Sequence, residues 1–304
     1  MKKLASILLL CTLLSACQPT GSTNEDRLSV VATFYPYGYF AQQVGGDLID
    51  LTVIVPTGIE PHDYEPSPVE LKAVYDADLF IYNGVAFEPW VEDLESDLSK
   101  EGITLFEASS RVELLPWEGG EEEEDQEYDP HFWLDPVRAG MIVNALAAQL
   151  GQLDPENASI YTSNAEVLSG ELSLLNANFS AQLASCSTKE FVTSHAAFSY
   201  LANRYSLTMI PINGLSPDDE PSLKELGELS SLVKERGLTT VFTETLLNSS
   251  LAETISKETG AKLEVLNPLE GLTTEEVAAG ENYLSILQKN LENLAAALGC
   301  SALE

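Results

Sequence analysis

Positive charge is scarce in this chain: 15 Lys and Arg stand against 48 Asp and Glu over 304 residues, a formal charge of −33. That sign excludes nucleic-acid binding, because phosphate recognition needs a basic field. Long apolar runs are also missing. The longest, Leu4–Leu14, is too short to span a bilayer. Cysteine occurs four times and histidine only three. With 44% apolar residues and 21% charged, the composition is that of a folded protein rather than a disordered chain. Its length suits two domains. A charge this negative favours a soluble monomer whose partners are cations.

Lys2 and Lys3 ahead of Leu4–Leu14 have the layout of a secretory signal, expected over 1–16. The run ends in Leu14-Ser15-Ala16-Cys17, which resembles the bacterial lipobox and implies cleavage before Cys17 with a lipid on its sulfur. An ordinary signal with an incidental cysteine is the alternative. Residues 17–27 read as a flexible tether. Export leaves Cys186 and Cys300 in the fold, and two cysteines in an oxidising compartment are expected to pair, the alternative being two buried thiols. On the loop-entropy account such a bridge contributes roughly 4 to 5 kcal/mol.

The remainder alternates strand-like and helix-like patterns. Val30–Phe34, Leu51–Val55, Leu79–Tyr82 and Ile103–Phe106 are short apolar runs with helical spacing between them, as over 69–75 and 88–98. The same pattern returns in Glu190–Thr193, Leu207–Ile212, Thr240–Thr243 and Leu263–Leu266. We therefore expect two α/β lobes over 28–153 and 187–304, each a mostly parallel sheet flanked by helices. Between them, Pro155–Ala184 predicts one long rigid helix within a 154–186 linker. Asp154-Pro155 is its expected cap, and Ile160, Val167, Leu168, Leu172, Leu175, Phe179 and Leu183 its apolar face.

Glu118–Asp129 holds eight carboxylates in twelve positions. Self-repulsion predicts an unstructured acidic loop, either an antechamber that concentrates cations or a solvated linker.

The three histidines carry the functional signal. His62 follows the second predicted strand, His131 follows the fourth and the acidic loop, and His195 ends the first strand of the second lobe. Ligands of open α/β sheets bind beyond the carboxyl ends of strands, so all three face one cleft. A single histidine is usually a hydrogen-bonded structural residue. Three converging from two lobes are better explained as metal ligands, with zinc the fitting ion and one tetrahedral corner left over.

The segments Pro61-His62-Asp63-Tyr64-Glu65-Pro66-Ser67-Pro68, Asp129-Pro130-His131-Phe132-Trp133-Leu134-Asp135-Pro136, Ser194-His195-Ala196-Ala197-Phe198 and Phe242-Thr243-Glu244 occur in an ordered series. In them the chain resembles the metal-binding solute-receptor lipoproteins of ABC importers (cluster A-I, solute-binding protein family 9), the ZnuA-like zinc members in particular. The resemblance implies two lobes on a backbone helix, a single cleft metal, and delivery of that metal to a membrane permease and its ATPase. The location implied is the periplasm or outer surface. His62, His131 and His195 match the family's first three ligands. Manganese members usually carry a carboxylate at the third position, so His195 favours zinc. The chain departs from the family in an acidic loop without His, and in Asn267-Pro268-Leu269-Glu270-Gly271 where an Asp commonly supplies the fourth ligand.

The expected function is capture of Zn2+ for import, without enzymatic activity. A manganese or iron receptor of the same family is the first alternative. A three-His zinc hydrolase, with Glu60 or Glu244 as general base, is a less favoured one, since no His-Glu-x-x-His helix is present. A surface-binding protein with structural zinc is another. For the fourth corner we expect a water, with Glu60 and Asn267 as other candidates, and Glu244 as an outer acceptor for an imidazole N–H. Binding is expected to weaken steeply below roughly pH 6, as the imidazoles protonate.

Overall fold

In the computed structural model, residues 27–117, 126–217 and 221–301 are described. The signal segment, Cys17, nearly all of the tether and most of the acidic loop lie outside them.

The first lobe runs β1 (Leu28–Ala32), α1 (Tyr35–Gly45), β2 (Ile49–Val53), α2 (Pro68–Tyr75), β3 (Leu79–Tyr82), α3 (Pro89–Glu92), α4 (Glu95–Glu101) and β4 (Thr104–Glu107). Two helices follow, α5 (Pro136–Leu153) and α6 (Ala158–Leu183). The second lobe runs β5 (Glu190–Thr193), α7 (Ser199–Tyr205), β6 (Thr208–Pro211), α8 (Leu223–Arg236), β7 (Thr240–Thr243), α9 (Ser250–Thr259), β8 (Lys262–Val265), α10 (Thr274–Ala278) and α11 (Tyr283–Ala297). Both sheets are four-stranded, parallel and identically ordered, β2-β1-β3-β4 and β6-β5-β7-β8. In each the order reverses beside the first strand, which opens a crevice at the strand ends.

All eight predicted strands are present, several displaced by one or two residues. The helical pattern over 88–98 is split into α3 and α4. The outer strands are less buried than expected: β2 shows a buried residue only at Ile49, because one of its edges has no partner.

Period-two alternation on the central strands divides the core. Val30, Ala32, Leu79, Ile81, Phe191 and Phe242 point into one apolar cluster continuous through both lobes. Val31, Phe80 and Tyr82 turn outward into one satellite cluster, and Val192 and Val241 into another. The lobes are therefore fused by a common core.

α6 lies against α1, α5, α7 and α11, so it touches both lobes, as expected of a strut. Its 26 residues span about 39 Å at 1.5 Å per residue. It starts at Ala158, not at Pro155. Asp154 closes α5, and its carboxylate accepts hydrogen bonds from Asn157 Nδ2 (2.7 Å) and Tyr161 Oη (2.8 Å) across a tight corner. The buried stripe is Tyr161, Ala165, Leu168, Leu172, Leu175, Phe179 and Leu183. Ile160 and Val167 lie off it, 45% and 64% exposed. Cys186, just beyond α6, is joined by a disulfide to Cys300, just beyond α11, which ties the strut to the end of the second lobe.

The placement of these side chains separates their energetic weight. Phe179 is fully buried and stacks on Tyr205 with ring centroids 5.0 Å apart. Phe179→Ala is expected to cost about 3–5 kcal/mol in denaturant unfolding. Val167→Ala on the same helix is expected to change it by no more than about 0.5 kcal/mol.

Candidate metal centre

Four loops bring ligands together. The loop after β2 carries His62, the segment leading into α5 carries His131, the turn just after β5 carries His195, and the segment after β8 carries Glu270. One ligand atom from each of these four lies within 4.8 Å of all the others. Glu270 Oε1 is 3.3 Å from His62 Nε2, 3.5 Å from His131 Nε2 and 3.3 Å from His195 Nε2. The two Nε2 atoms of His62 and His131 are 3.3 Å apart. Zinc bonds of about 2.0–2.1 Å put the corners of a tetrahedron about 3.3–3.4 Å apart. The four measured edges match that figure. His195 Nε2 is buried and out of hydrogen-bonding geometry with any protein group, as an atom aimed at a metal would be.

The fourth corner is thus a carboxylate, where the sequence led us to expect water, Glu60 or Asn267. Glu60 is turned back on its own loop, both oxygens accepting the His62 N–H at 3.0 and 3.1 Å. Asn267 is committed to the local turn. Its Oδ1 accepts the Leu269 N–H at 2.8 Å, and its Nδ2 donates to Thr245 Oγ1 (3.1 Å) and Glu276 Oε1 (2.9 Å). Leu269 sits at φ 60°, a left-handed conformation that costs a branched side chain energy, and this turn points Glu270 inward. A signal for Glu270 was present. It is the one carboxylate in the post-strand segment Leu266–Leu272, whose other members are apolar apart from Asn267. All seven are buried.

Outer carboxylates fix two of the rings. Glu244 Oε1 accepts from His195 Nδ1 at 2.9 Å and from the His195 N–H at 3.2 Å. Asp129, which was not singled out, does the same for His131 at 2.9 and 2.8 Å. These bonds hold the Nδ1 protons, so Nε2 is the free donor on each ring. His62 packs edge-on to Phe87 at 4.6 Å, and its side chain keeps 10% exposure, while the other three ligands are sealed.

Titration follows from this packing. Burial drives His62 down to about 4. Burial opposes protonation of His195 too, but the charges of Glu244 and Glu270 overcome it and hold that imidazole well above its ordinary value. His131 is raised in the same way, burial being outweighed by its bonds to Asp129 and Glu270. Glu270 stays well below the usual carboxylate range despite burial, through the His195 charge and the close approach of all three imidazoles. Glu244 is pushed up by burial. Three buried carboxylates (Glu270, Glu244 and Asp129) around neutral imidazoles more than balance a divalent charge.

Residues 30–297 match the family model ZnuA, described as zinc-uptake complex component A, periplasmic. The chain is 39% identical over 305 residues to the zinc-binding lipoprotein AdcA of Streptococcus pneumoniae, which covers 97% of this chain but only 60% of AdcA. It is 37% identical over 290 residues to the high-affinity zinc uptake system protein ZnuA of Bacillus subtilis, covering 92% of this chain and 90% of that protein. The Zn(II)-bound ZnuA-like domain of pneumococcal AdcA superposes with a TM-score of 0.79 at 40% identity, over 90% of this chain and 99% of that domain.

Two outcomes follow from the donor set. Glu270→Gln removes the anionic corner and is expected to lower zinc affinity by at least roughly a hundredfold, the upper end of what loss of an outer hydrogen-bonding partner costs. Glu60→Gln, measured in the same competition titration, should leave affinity within a factor of a few. The second outcome concerns pH. A raised imidazole value means the metal-free fold holds its proton more tightly than the unfolded chain, so that stabilisation is present below about 6.5 and lost as pH rises. Zinc must displace those protons. Affinity should therefore begin to fall with acidification at a higher pH than ordinary imidazoles would give, because His195 and His131 hold their protons more tightly. Calorimetry in buffers of differing ionisation enthalpy should show net proton release on zinc binding at neutral pH.

Proposed function

Because the chain belongs to the ZnuA family of zinc-uptake components, we propose that it is an extracytoplasmic receptor that binds one Zn2+ in its cleft and passes it to an ABC permease driven by an ATPase. The observation that supports this reading is the four-cornered His62, His131, His195 and Glu270 cluster with tetrahedral-zinc edge lengths. Three imidazoles and one carboxylate suit zinc better than manganese, which prefers more oxygen donors and a larger coordination number. The alternative, a manganese or iron receptor, is the less favoured reading for that reason.

A hydrolase is disfavoured by the same geometry. Catalytic zinc keeps an open corner for water, and here a buried protein carboxylate stands at the fourth. Both candidate general bases are engaged as well, Glu60 with the His62 N–H and Glu244 with His195. In this reading the protein acts as a monomer, cleaved after residue 16 and held at the membrane by a lipid on Cys17. The ion enters beside His62, the one ligand with an exposed edge.

Protein purified without a tag should carry one zinc per chain and retain it against excess Mn2+. Deletion of the gene should impair growth in zinc-depleted medium, with added zinc restoring it. Preferential retention of manganese, or growth independent of zinc supply, would overturn the proposal.

A further inference from the structure

α7 is short, but it starts four residues after His195 and holds both sides of the segment that carries His131. Tyr200 and Arg204 lie one turn apart on it. The Tyr200 hydroxyl donates to the Asp129 carbonyl at 2.7 Å and accepts the Leu115 N–H at 2.9 Å. Arg204 reaches Asp135 with two parallel bonds, Nη2 to Oδ2 at 2.6 Å and Nε to Oδ1. Asp129 and Asp135 bracket His131, two residues before it and four after. Asp135 is fully buried and also accepts from the Val137 N–H (3.0 Å) and Arg138 Nη1 (2.5 Å). Its lone pairs are all taken, and the position of the carboxylate is over-determined.

We infer that Arg204 and Tyr200 are positioning residues: from the second lobe they fix the distance between His131 and His195, and thereby bias the site toward a small tetrahedral ion. The inference rests on the zinc-receptor reading above. His131 and His195 come from different lobes, with ring centroids 5.2 Å apart, and no hydrogen bond joins them directly. Their separation is set instead by what binds their backbones. His195 is continuous with α7, and α7 grips the His131 segment at two points. A bidentate Arg–carboxylate pair holds angle as well as distance, which a lysine cannot do. Burying such a pair is weak evidence for stability, since well-packed apolar groups serve as well, so spacing is the better account of an ionic link at this seam. An ion with longer bonds and more ligands needs the corners to spread, and the grip resists that.

The test uses Arg204→Lys and Tyr200→Phe in the full-length exported protein, with Zn2+, Mn2+ and Co2+ as probes. Tyr200→Phe keeps the ring that packs under Arg138 and removes only the hydroxyl. Thermal midpoints are recorded for both, so that loss of fold is separated from loss of positioning. Zinc affinity should fall about ten- to a hundredfold, in the range of outer-partner losses at metal sites. Manganese affinity should fall less, and the strong visible absorption of tetrahedral Co2+ should weaken. Variants that melt earlier yet keep the zinc-to-manganese ratio and the Co2+ spectrum would overturn the inference, leaving these residues a purely structural role. Failure of the unmutated protein to bind zinc at this site would instead overturn the receptor reading and the inference with it.

Discussion

One carboxylate oxygen governs the centre of this molecule. Glu270 Oε1 lies within 3.5 Å of the Nε2 atoms of three imidazoles, in a place where Glu270 itself is 1% exposed. An anion so enclosed is costly unless positive charge or donors surround it. Everything nearby answers that cost. The imidazoles face it, Asp129 and Glu244 hold two of them from behind, and a turn strained at Leu269 delivers the carboxylate. Trp133 completes the wall, its Nε1–H donating to the Pro268 carbonyl at 2.8 Å and its own carbonyl accepting from the Tyr283 hydroxyl. The C-terminal part of the chain is thus locked to the segment that presents His131.

The matched sheets explain how four distant segments can meet. Each lobe repeats the order 2-1-3-4, which opens a crevice at the strand ends beside its first strand. In the second lobe, His195 lies two residues past β5 and Glu244 directly follows β7, and the pairing of those strands brings the two side chains together. A divided site of this type needs the lobes to keep their relative position to within tenths of an ångström, and an apolar cluster shared by both supplies that stiffness.

Much of this was legible in the residues. The eight strands were visible because β-branched and aromatic runs alternate with helical spacing, and the histidines because there are only three. Boundaries were less legible. α6 begins at Ala158 because the Asp154 carboxylate serves Asn157 and Tyr161, a contact across a corner that no local rule registers. Glu270 was overlooked for a related reason: Asn267 occupies the position that the family resemblance emphasised, and only the Asn267–Leu269 turn shows that its side chain holds the chain while a residue three places on faces the cleft. Asp129 was hidden among the acidic residues beside it. Charge density masked one carboxylate whose partner is specific.

The continuous core has a thermodynamic consequence. Lobes that share one apolar interior unfold together, so whatever binds between them stabilises the whole chain by mass action and not a local segment alone. Each increment of ion affinity then also lengthens survival against proteases, which act on opened molecules. Occupancy and lifetime become the same quantity seen from two sides: surroundings short of the ion would hold a population of these molecules that turns over faster than one that is supplied.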